Sequence, residues 1–182
     1  MEPVHHPFPA PAPERLPVDG RGLRQTSGRF ATGVCVITTG TGDAAAGTTV
    51  NSFTSVSLDP PLVLFCLHRD SRLGPVLRRS GGFVVNFLTN RQQGLAWTFA
   101  SRGSARLEDV PHRRTREDLP VLEGVLGHLV CRLVTEYEGG DHVIVLGEVV
   151  EHSAAASEEQ PLIFYRGVMH ILEEWFPDDW TG

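Results

Sequence analysis

The sequence contains no lysine, because all 16 of its basic residues are arginine. Without lysine the chain cannot form a Schiff base with pyridoxal phosphate, and it cannot supply the lysine of a phosphate-binding P-loop. Acidic residues number 22, the formal net charge is -6, and no run of arginines is longer than two. A nucleic-acid partner is therefore not expected, since such partners require clustered positive charge.

Cysteine is scarce, and no segment is apolar enough to span a membrane. Cys35, Cys66 and Cys131 form no CxxC pair and lie inside apolar stretches, where cysteine usually behaves as a small hydrophobic residue. The longest clean apolar runs, such as residues 62–67, are far shorter than the roughly 20 residues of a membrane helix. Residues 1–20 lack the basic start and apolar core of a signal peptide. These absences predict a cytoplasmic protein with reduced thiols.

The usual catalytic signatures are missing as well. No GxSxG elbow occurs, so acyl transfer has no support. The eight histidines are scattered, without HExxH or HxH, so no metal site is expected. Gly40, Gly42 and Gly47 follow a strand-like run, but β-rich sequence comes after them, whereas a dinucleotide-binding fingerprint needs a helix there. We interpret these glycines as a turn.

The 182 residues fit one domain between two tails. Six of the 13 prolines lie in the first 17 residues, so residues 1–22 are predicted to be a disordered tail. Residues 173–182 form a second tail, which is acidic and aromatic, and residues 23–172 are the predicted folded domain.

Short strands dominate the predicted domain. β-branched runs and turn residues predict strands over 33–39, 48–53, 62–67, 82–88, 125–137, 142–150 and 161–165. Short helices are predicted over 23–30, 75–79 and 90–101, the last capped by Asn90, and residues 102–122 are expected to cross the surface as a long excursion. About six or seven strands with few helices favour a mainly β, antiparallel barrel with room for a ligand at its mouth or at a subunit seam.

Two polar segments are candidates for a site. Seven of the ten residues 48–57 carry a hydroxyl or an amide, which suits either an ordinary edge strand or the lining of a flat heterocycle. In the second case Pro60 and Pro61 end the strand, so that its amides face a ligand instead of a partner strand. The other segment, EGGDH, is either a solvated turn or a site in which Asp141 orients His142 toward a carboxamide or a phosphate.

The order of motifs is more specific than any one of them. RFATGVCVITT (29–39), VNSFTSVSLDPPLV (50–63), FVVNFL (83–88), LPVLEG (119–124), GDHVIVLGEV (140–149) and PLIFYRG (161–167) together resemble the short-chain flavin reductase family. The resemblance covers about residues 23–170. It implies the FMN-binding split-barrel fold and the reduction of free flavin by NAD(P)H to supply a two-component monooxygenase.

The resemblance also implies roles for particular residues. The flavin ring and ribityl chain would be lined by Thr49, Val50, Asn51, Ser52, Ser55, Val56 and Ser57, with Cys66, Leu67 and Ser71 beside the flavin and its phosphate. Phosphate or adenine contacts would come from Phe99, Ala100 and Arg106, and Arg29 is a further cofactor-binding residue. His142 would be the catalytic residue near the nicotinamide, and Tyr165, Arg166 and Gly167 would close over the nicotinamide nucleotide.

Some positions depart from the family pattern. No basic pair precedes Arg106, Leu73 and Leu107 replace a hydroxyl and an aromatic residue, and Met169 replaces a second aromatic. These changes leave the choice between FAD and FMN open.

The implied protein is a homodimer with flavin at the subunit seam. It uses NADH, with NADPH as an alternative, and serves a separate monooxygenase of natural-product biosynthesis or aromatic degradation. Two other hypotheses share the barrel. One is a non-catalytic flavin-binding or electron-carrier protein. The other is an amine oxidase of the pyridoxamine phosphate oxidase type, whose basic phosphate-binding positions are not found here.

Overall fold

Strands make up most of the fold. The structure is a computed structural model that describes residues 17–100, 107–156 and 158–172. Its helices and strands are α1 (Gly20–Ser27), β1 (Thr32–Gly33), β2 (Cys35–Thr39), β3 (Ala46–Val50), β4 (Thr54–Leu58), β5 (Pro61–His68), α2 (Leu73–Ser80), β6 (Gly82–Phe87), α3 (Gln93–Ala100), β7 (His112–Arg114), β8 (Pro120–Leu122), β9 (Gly127–Gly139), β10 (His142–Ala154), β11 (Leu162–Tyr165) and β12 (Val168–Ile171).

Seven strands form the main sheet, in the order β3-β2-β6-β9-β10-β5-β4, with antiparallel neighbours throughout. In a flat sheet β3 and β4 would lie about 29 Å apart, since neighbouring strands are about 4.8 Å apart. The link from Val50 to Thr54 spans at most about 14 Å. The sheet must therefore curl until its two edges approach, which confirms the predicted antiparallel split barrel.

The barrel interior follows from strand alternation. In β5, Val63, Phe65 and Leu67 are buried while the residues between them face outward. Cys35 and Cys131 lie in the same core, where burial raises the pKa of each thiol to about 12. All three cysteines are free thiols in the structure.

A second, three-stranded sheet packs beside the barrel in the order β1-β11-β12. Helix α1 lies next to it and begins three residues before the predicted start, because the Asp19 carboxylate accepts hydrogen bonds from the backbone N–H groups of Arg21 and Gly22 at 3.2 and 2.7 Å. Gly28 caps the C-terminal end of the helix, and its carbonyl accepts a hydrogen bond from the Arg166 N–H at 2.8 Å.

Two local expectations are wrong. The described part of residues 102–122 is not a surface excursion: it contains the β7–β8 hairpin, and Leu107, Val121 and Leu122 are buried. The cap of the α3 region is Thr89 rather than Asn90, because Thr89 and Gln92 form a capping box around a short 3₁₀ turn. The first error arises because Leu107, Val121 and Leu122 pack against apolar residues from elsewhere in the chain. The second is local, since Thr89 and Asn90 are both good capping residues and the contact with Gln92 selects Thr89.

The β9–β10 hairpin is confirmed. Strand β10 is longer than predicted, whereas β9 has the predicted length and begins two residues later. Strand β12 was not predicted. No helix in the described ranges is long and apolar enough to cross a membrane. Most of the predicted Pro-rich tail and all of residues 173–182 lie outside the described residues.

Candidate functional site

The hydroxyl-rich segment is two strands, β3 and β4, joined by residues 51–53. In β3, the Thr49 hydroxyl donates a hydrogen bond to the Ala96 carbonyl of α3 at 2.7 Å. Val50 is half-buried and packs against the barrel core. These two residues anchor the strand that leads into the link.

Ser52 holds the link against β5. Its hydroxyl accepts a hydrogen bond from the Cys66 N–H at 2.9 Å and donates one to the Cys66 carbonyl at 3.2 Å. The β4–β5 register pairs Thr54 with Leu64, so Ser52 lies opposite Cys66 when this register is continued. The Ser52 hydroxyl therefore supplies the hydrogen bonds to β5 at a position where backbone pairing between β4 and β5 has ended.

Strand β4 is the last strand of the sheet and has one open edge. The N–H and C=O of Cys66 point toward β4. Two residues along, Leu64 is paired with Thr54, so the N–H and C=O of Thr54 point toward β5. By strand alternation, Ser55 directs its N–H and C=O to the open edge. Ser55 is exposed, and a register shift follows it at the exposed Val56.

The expected role of the two prolines is half wrong. Asp59 and Pro60 form the turn of a β4–β5 hairpin in which Pro61 begins β5, so one edge of β4 has a partner strand. Only the other edge is free for a ligand. Ser57 is half-buried at the end of this hairpin, where its hydroxyl accepts a hydrogen bond from the Asp59 N–H at 3.2 Å.

Asn51 lies at one mouth of the barrel. Its side-chain amide donates a hydrogen bond to the Thr32 hydroxyl at 3.3 Å. Both residues line a cavity of about 460 Å³ whose other walls are mostly apolar and include Phe53 and Phe87. Those two rings meet edge to face, with centroids 5.2 Å apart.

The side chains predicted to lie beside the flavin phosphate point in different directions; they belong to Cys66, Leu67 and Ser71. Cys66 is half-buried on the outer face of β5, whereas the Leu67 side chain is in the core. The Ser71 hydroxyl accepts a hydrogen bond from the Leu73 N–H at 3.3 Å at the start of α2. Of the three, only the Cys66 side chain faces the same side of the sheet as the outer residues of β10.

His142 begins β10 at the tip of the long hairpin. Its Nδ1 lies 2.7 Å from Asp141 Oδ1, and this hydrogen bond lowers the pKa of the Asp141 carboxyl. The His142 ring also meets the His68 ring edge to face at 5.2 Å, because the two residues are paired in the β5–β10 register. Arg69 binds the Glu138 carboxylate and the Gly140 carbonyl, which holds the tip against the end of β5.

A second cavity, of about 700 Å³, lies between the end of α1 and the β11–β12 turn. It brings Arg29 together with Arg166 and Gly167, and Arg24 also lines it. The turn has positive φ at Arg166 (53°) and Gly167 (84°), which is typical of a two-residue hairpin turn. Next to it, Tyr165 lies below the Arg166 guanidinium, whose carbon is 5.7 Å from the ring centroid.

The remaining predicted residues differ in their environments. Phe99 is 4% exposed and packs in the core beside Gly47, where an added Cβ would come within 2.8 Å of the ring. Ala100 is exposed at the end of α3, and Arg106 lies outside the described residues. Phe99 therefore contributes to the packing of the core.

His68 and Arg24 are not among the residues predicted from the sequence. Neither belongs to a motif, and each reaches the site only through strand register or helix placement. Within the described ranges, no group of three or more His, Cys, Asp or Glu residues could hold a metal ion.

Comparison with known proteins identifies the family. Residues 27–173 match the flavin reductase like domain. The reductase subunit HsaB of a flavin-dependent monooxygenase from Mycobacterium tuberculosis is 38% identical over 151 residues, which cover 82% of this chain and 81% of that protein. The NADH-dependent FMN reductase AsuE2 of Streptomyces nodosus subsp. asukaensis is 40% identical over 162 residues, which cover 84% of each chain.

A solved structure agrees with these relatives. The NADH:FAD oxidoreductase SgcE6 of Streptomyces globisporus C-1027, in complex with NAD and FAD fragments, matches with a TM-score of 0.78 and 36% identity, covering 90% of this chain and 99% of that one. The chain belongs to the flavin reductase family, and the family prediction made from the motifs is confirmed.

Proposed function

We propose that this protein is an NADH-dependent flavin reductase that reduces free FAD or FMN and supplies the reduced flavin to a separate monooxygenase. The observation that carries the proposal is the family match, which spans the whole polar segment from β3 to β4 and the His142 hairpin. NADPH is an alternative reductant. Natural-product biosynthesis and aromatic degradation are the proposed settings.

The open edge of β4 fits a flavin ring. The isoalloxazine system is flat, with polar atoms along one edge, and it accepts a hydride from the nicotinamide when bound. The free peptide groups of Ser55 and the exposed hydroxyls of Thr54 and Ser55 supply donors and acceptors for such an edge. Donors held by a strand need no rearrangement as negative charge develops on a ligand, so this edge contributes electrostatic stabilisation.

His142 is proposed to position the nicotinamide. A carboxylate only accepts hydrogen bonds, so the contact with Asp141 places a proton on His142 Nδ1 and leaves Nε2 for a ligand. The His142 side chain is 41% exposed, so it is accessible to the nicotinamide carboxamide. The hairpin tip that carries it is held to β5 by Arg69.

We infer the assembly from exposed apolar side chains. They lie on β4 and on the two long strands, and they are Val56, Leu58, Val134, Tyr137 and Val150. Leu58 is 89% exposed, which is costly for a large apolar residue in water. A second copy covering this surface would form a homodimer with the open β4 edge at the seam. Free thiols support a cytoplasmic location.

The test is NADH oxidation by the purified protein with FAD, with FMN and with neither. Turnover that saturates with one added flavin supports a reductase. A yellow, flavin-bound protein that oxidises neither NADH nor NADPH would contradict it and favour the electron carrier.

Variants test the proposed site residues. Asn51→Ala and Ser55→Ala are expected to raise the Michaelis constant for flavin. His142→Ala is expected to raise mainly the Michaelis constant for NADH. Ser27→Ala, an exposed hydroxyl on α1, is the control and should leave both constants unchanged. Unchanged constants in all three site variants would refute these assignments.

A further inference from the structure

Strand pairing brings two imidazoles together on the outer face of the main sheet. His68 ends β5, His142 begins β10, and the two residues lie directly opposite each other in the register. In the neighbouring pair the Arg69 N–H donates a hydrogen bond to the Asp141 carbonyl at 3.0 Å. Because antiparallel pairs alternate, His68 and His142 form a non-hydrogen-bonded pair, in which opposite side chains lie closest together. Their rings accordingly meet edge to face, with centroids 5.2 Å apart.

A backbone hydrogen bond fixes the tautomer of His68. Its Nδ1 accepts a hydrogen bond from the Asp70 N–H at 3.2 Å, so this nitrogen carries no proton. In a neutral imidazole the proton is then on Nε2, which becomes a hydrogen-bond donor. The group that fixes this arrangement is a backbone N–H, so it persists in side-chain variants of Asp70.

His142 has the opposite tautomer. Its Nδ1 donates a hydrogen bond to the Asp141 carboxylate at 2.7 Å, so the Nε2 of the neutral ring is an acceptor. Both rings are accessible, since His68 is exposed and the His142 side chain is 41% exposed. The pair therefore offers one donor and one acceptor side by side. A shared metal ion does not fit this arrangement, because it would need an unprotonated Nε2 on both rings.

The donor and the acceptor together match a primary carboxamide. Its carbonyl oxygen accepts hydrogen bonds, its NH₂ group donates them, and both belong to one planar unit. A single histidine of fixed tautomer recognises only one of these two groups, whereas the pair recognises both. A ligand that lacks the N–H or the carbonyl oxygen leaves one ring without its partner, which is a basis for specificity.

We propose that His68 is a further ligand-binding residue, whose Nε2–H donates to the carboxamide oxygen of the nicotinamide while His142 Nε2 accepts from the carboxamide N–H. The proposal rests on the proposed function, since that function places the nicotinamide at His142. It goes beyond that function because it assigns His68, which belongs to no motif, to the recognition of the amide.

Two analogues of NADH test the two contacts separately. Reduced 3-acetylpyridine adenine dinucleotide keeps the carbonyl oxygen and lacks the amide N–H. The reduced thionicotinamide analogue keeps the N–H, but its sulfur is a weak acceptor. Steady-state kinetics at about pH 8, where an unperturbed imidazole is neutral, give a Michaelis constant for each nucleotide.

Each histidine variant should lose its effect with one of the analogues. His68→Phe keeps an aromatic ring beside His142 and removes the donor. It should raise the Michaelis constants for NADH and the acetylpyridine analogue about three- to tenfold, and that for the thio analogue by less than about twofold. His142→Phe should affect NADH and the thio analogue but leave the acetylpyridine analogue within about twofold. His68→Gln, which restores an N–H donor, should recover part of the loss.

His112→Phe is the matched control. His112 lies on β7, outside the main sheet, and its Nδ1 is 2.8 Å from the Val110 carbonyl. This variant should leave all three constants unchanged. An equal rise for all three nucleotides in His68→Phe would show a general effect on the site and overturn the proposal. A rise in the Michaelis constant for flavin alone would assign the pair to the polar edge of the flavin and would also overturn it.

Equilibrium binding separates this proposal from the proposed function. Calorimetry on the intact protein with NAD⁺ and its acetylpyridine analogue measures the preference for the amide without turnover. We expect wild-type protein to prefer NAD⁺ about three- to tenfold, and His68→Phe to weaken both nucleotides equally. A protein that binds in this way but reduces no flavin supports the histidine pair and refutes the reductase. A protein that reduces flavin with NADH while His68→Phe keeps the wild-type constants refutes the histidine pair alone.

Discussion

Replacing Ser52 by alanine should destabilise the barrel at the point where its two edges meet. The substitution removes two hydrogen bonds to the Cys66 peptide, with lengths of 2.9 and 3.2 Å. Each is worth about 0.5–1.5 kcal/mol net, so the free energy of unfolding should fall by about 1–3 kcal/mol. For a domain of this size, Tm should fall by about 2–4 °C for each kcal/mol.

Urea unfolding followed by tryptophan fluorescence measures the effect. Protein concentration must be held constant, since dimer formation would make the apparent stability concentration-dependent. Ser55→Ala is the control, because this exposed hydroxyl makes no side-chain hydrogen bond in the described structure, and its effect should stay within about 0.5 kcal/mol. Ser52→Thr, which keeps the hydroxyl, should recover part of the loss. Equal stabilities of Ser52→Ala and Ser55→Ala would refute the bridging role of Ser52.

Three further predictions concern thiols, pH and the histidine at the hairpin tip. Ellman's reagent should label one thiol of the native chain, Cys66, and all three after denaturation, because burial raises the pKa of Cys35 and Cys131 to about 12. Added flavin should slow the reaction of Cys66. Two fast-reacting thiols in the native protein would contradict the burial of Cys35 and Cys131 in the core. Burial lowers the pKa of His128 below 6.5, so the stability from its neutral form is present above pH 6.5 and is lost as pH falls through the lowered pKa. Its loss can reach at most about 1.4 kcal/mol per pH unit, and His128→Gln should flatten this part of the pH–stability curve, whereas an unchanged slope would refute it. Asp141→Asn should raise the Michaelis constant for NADH several-fold with little change in kcat, because the imidazole loses its orienting carboxylate; Asp70→Asn serves as the control, and equal effects of the two would contradict the orienting role.

Local signals predicted the elements whose partners are close in sequence. Strands β9 and β10 follow from β-branched runs around Gly139 and Gly140, because a tight turn sets the register of its own hairpin. Local sequence patterns did not predict strand ends that are set by pairing with a strand distant in sequence. Residues 48–53 were predicted as one strand, but backbone pairing ends at Val50 because β3 pairs with β2 and β4 pairs with β5.

The same limit applies to the site. The resemblance implied that Ser52 lines the flavin and that Phe99 contributes phosphate or adenine contacts; in the structure the Ser52 hydroxyl bonds to β5 and the Phe99 ring packs in the core. Their types and motif positions are compatible with both roles. Only the atoms around each side chain separate a ligand contact from a structural one.

The sequence by itself determined the composition limits, the predominance of strands and the family. The absence of lysine, the hydroxyl-rich segment and the GDH motif are properties of the chain read in order. The tertiary structure decided that His68 faces His142 and that Arg24 meets Arg166 across a helix end. Strand register and barrel closure bring these residues together, and both depend on burying a shared core rather than on neighbours in sequence.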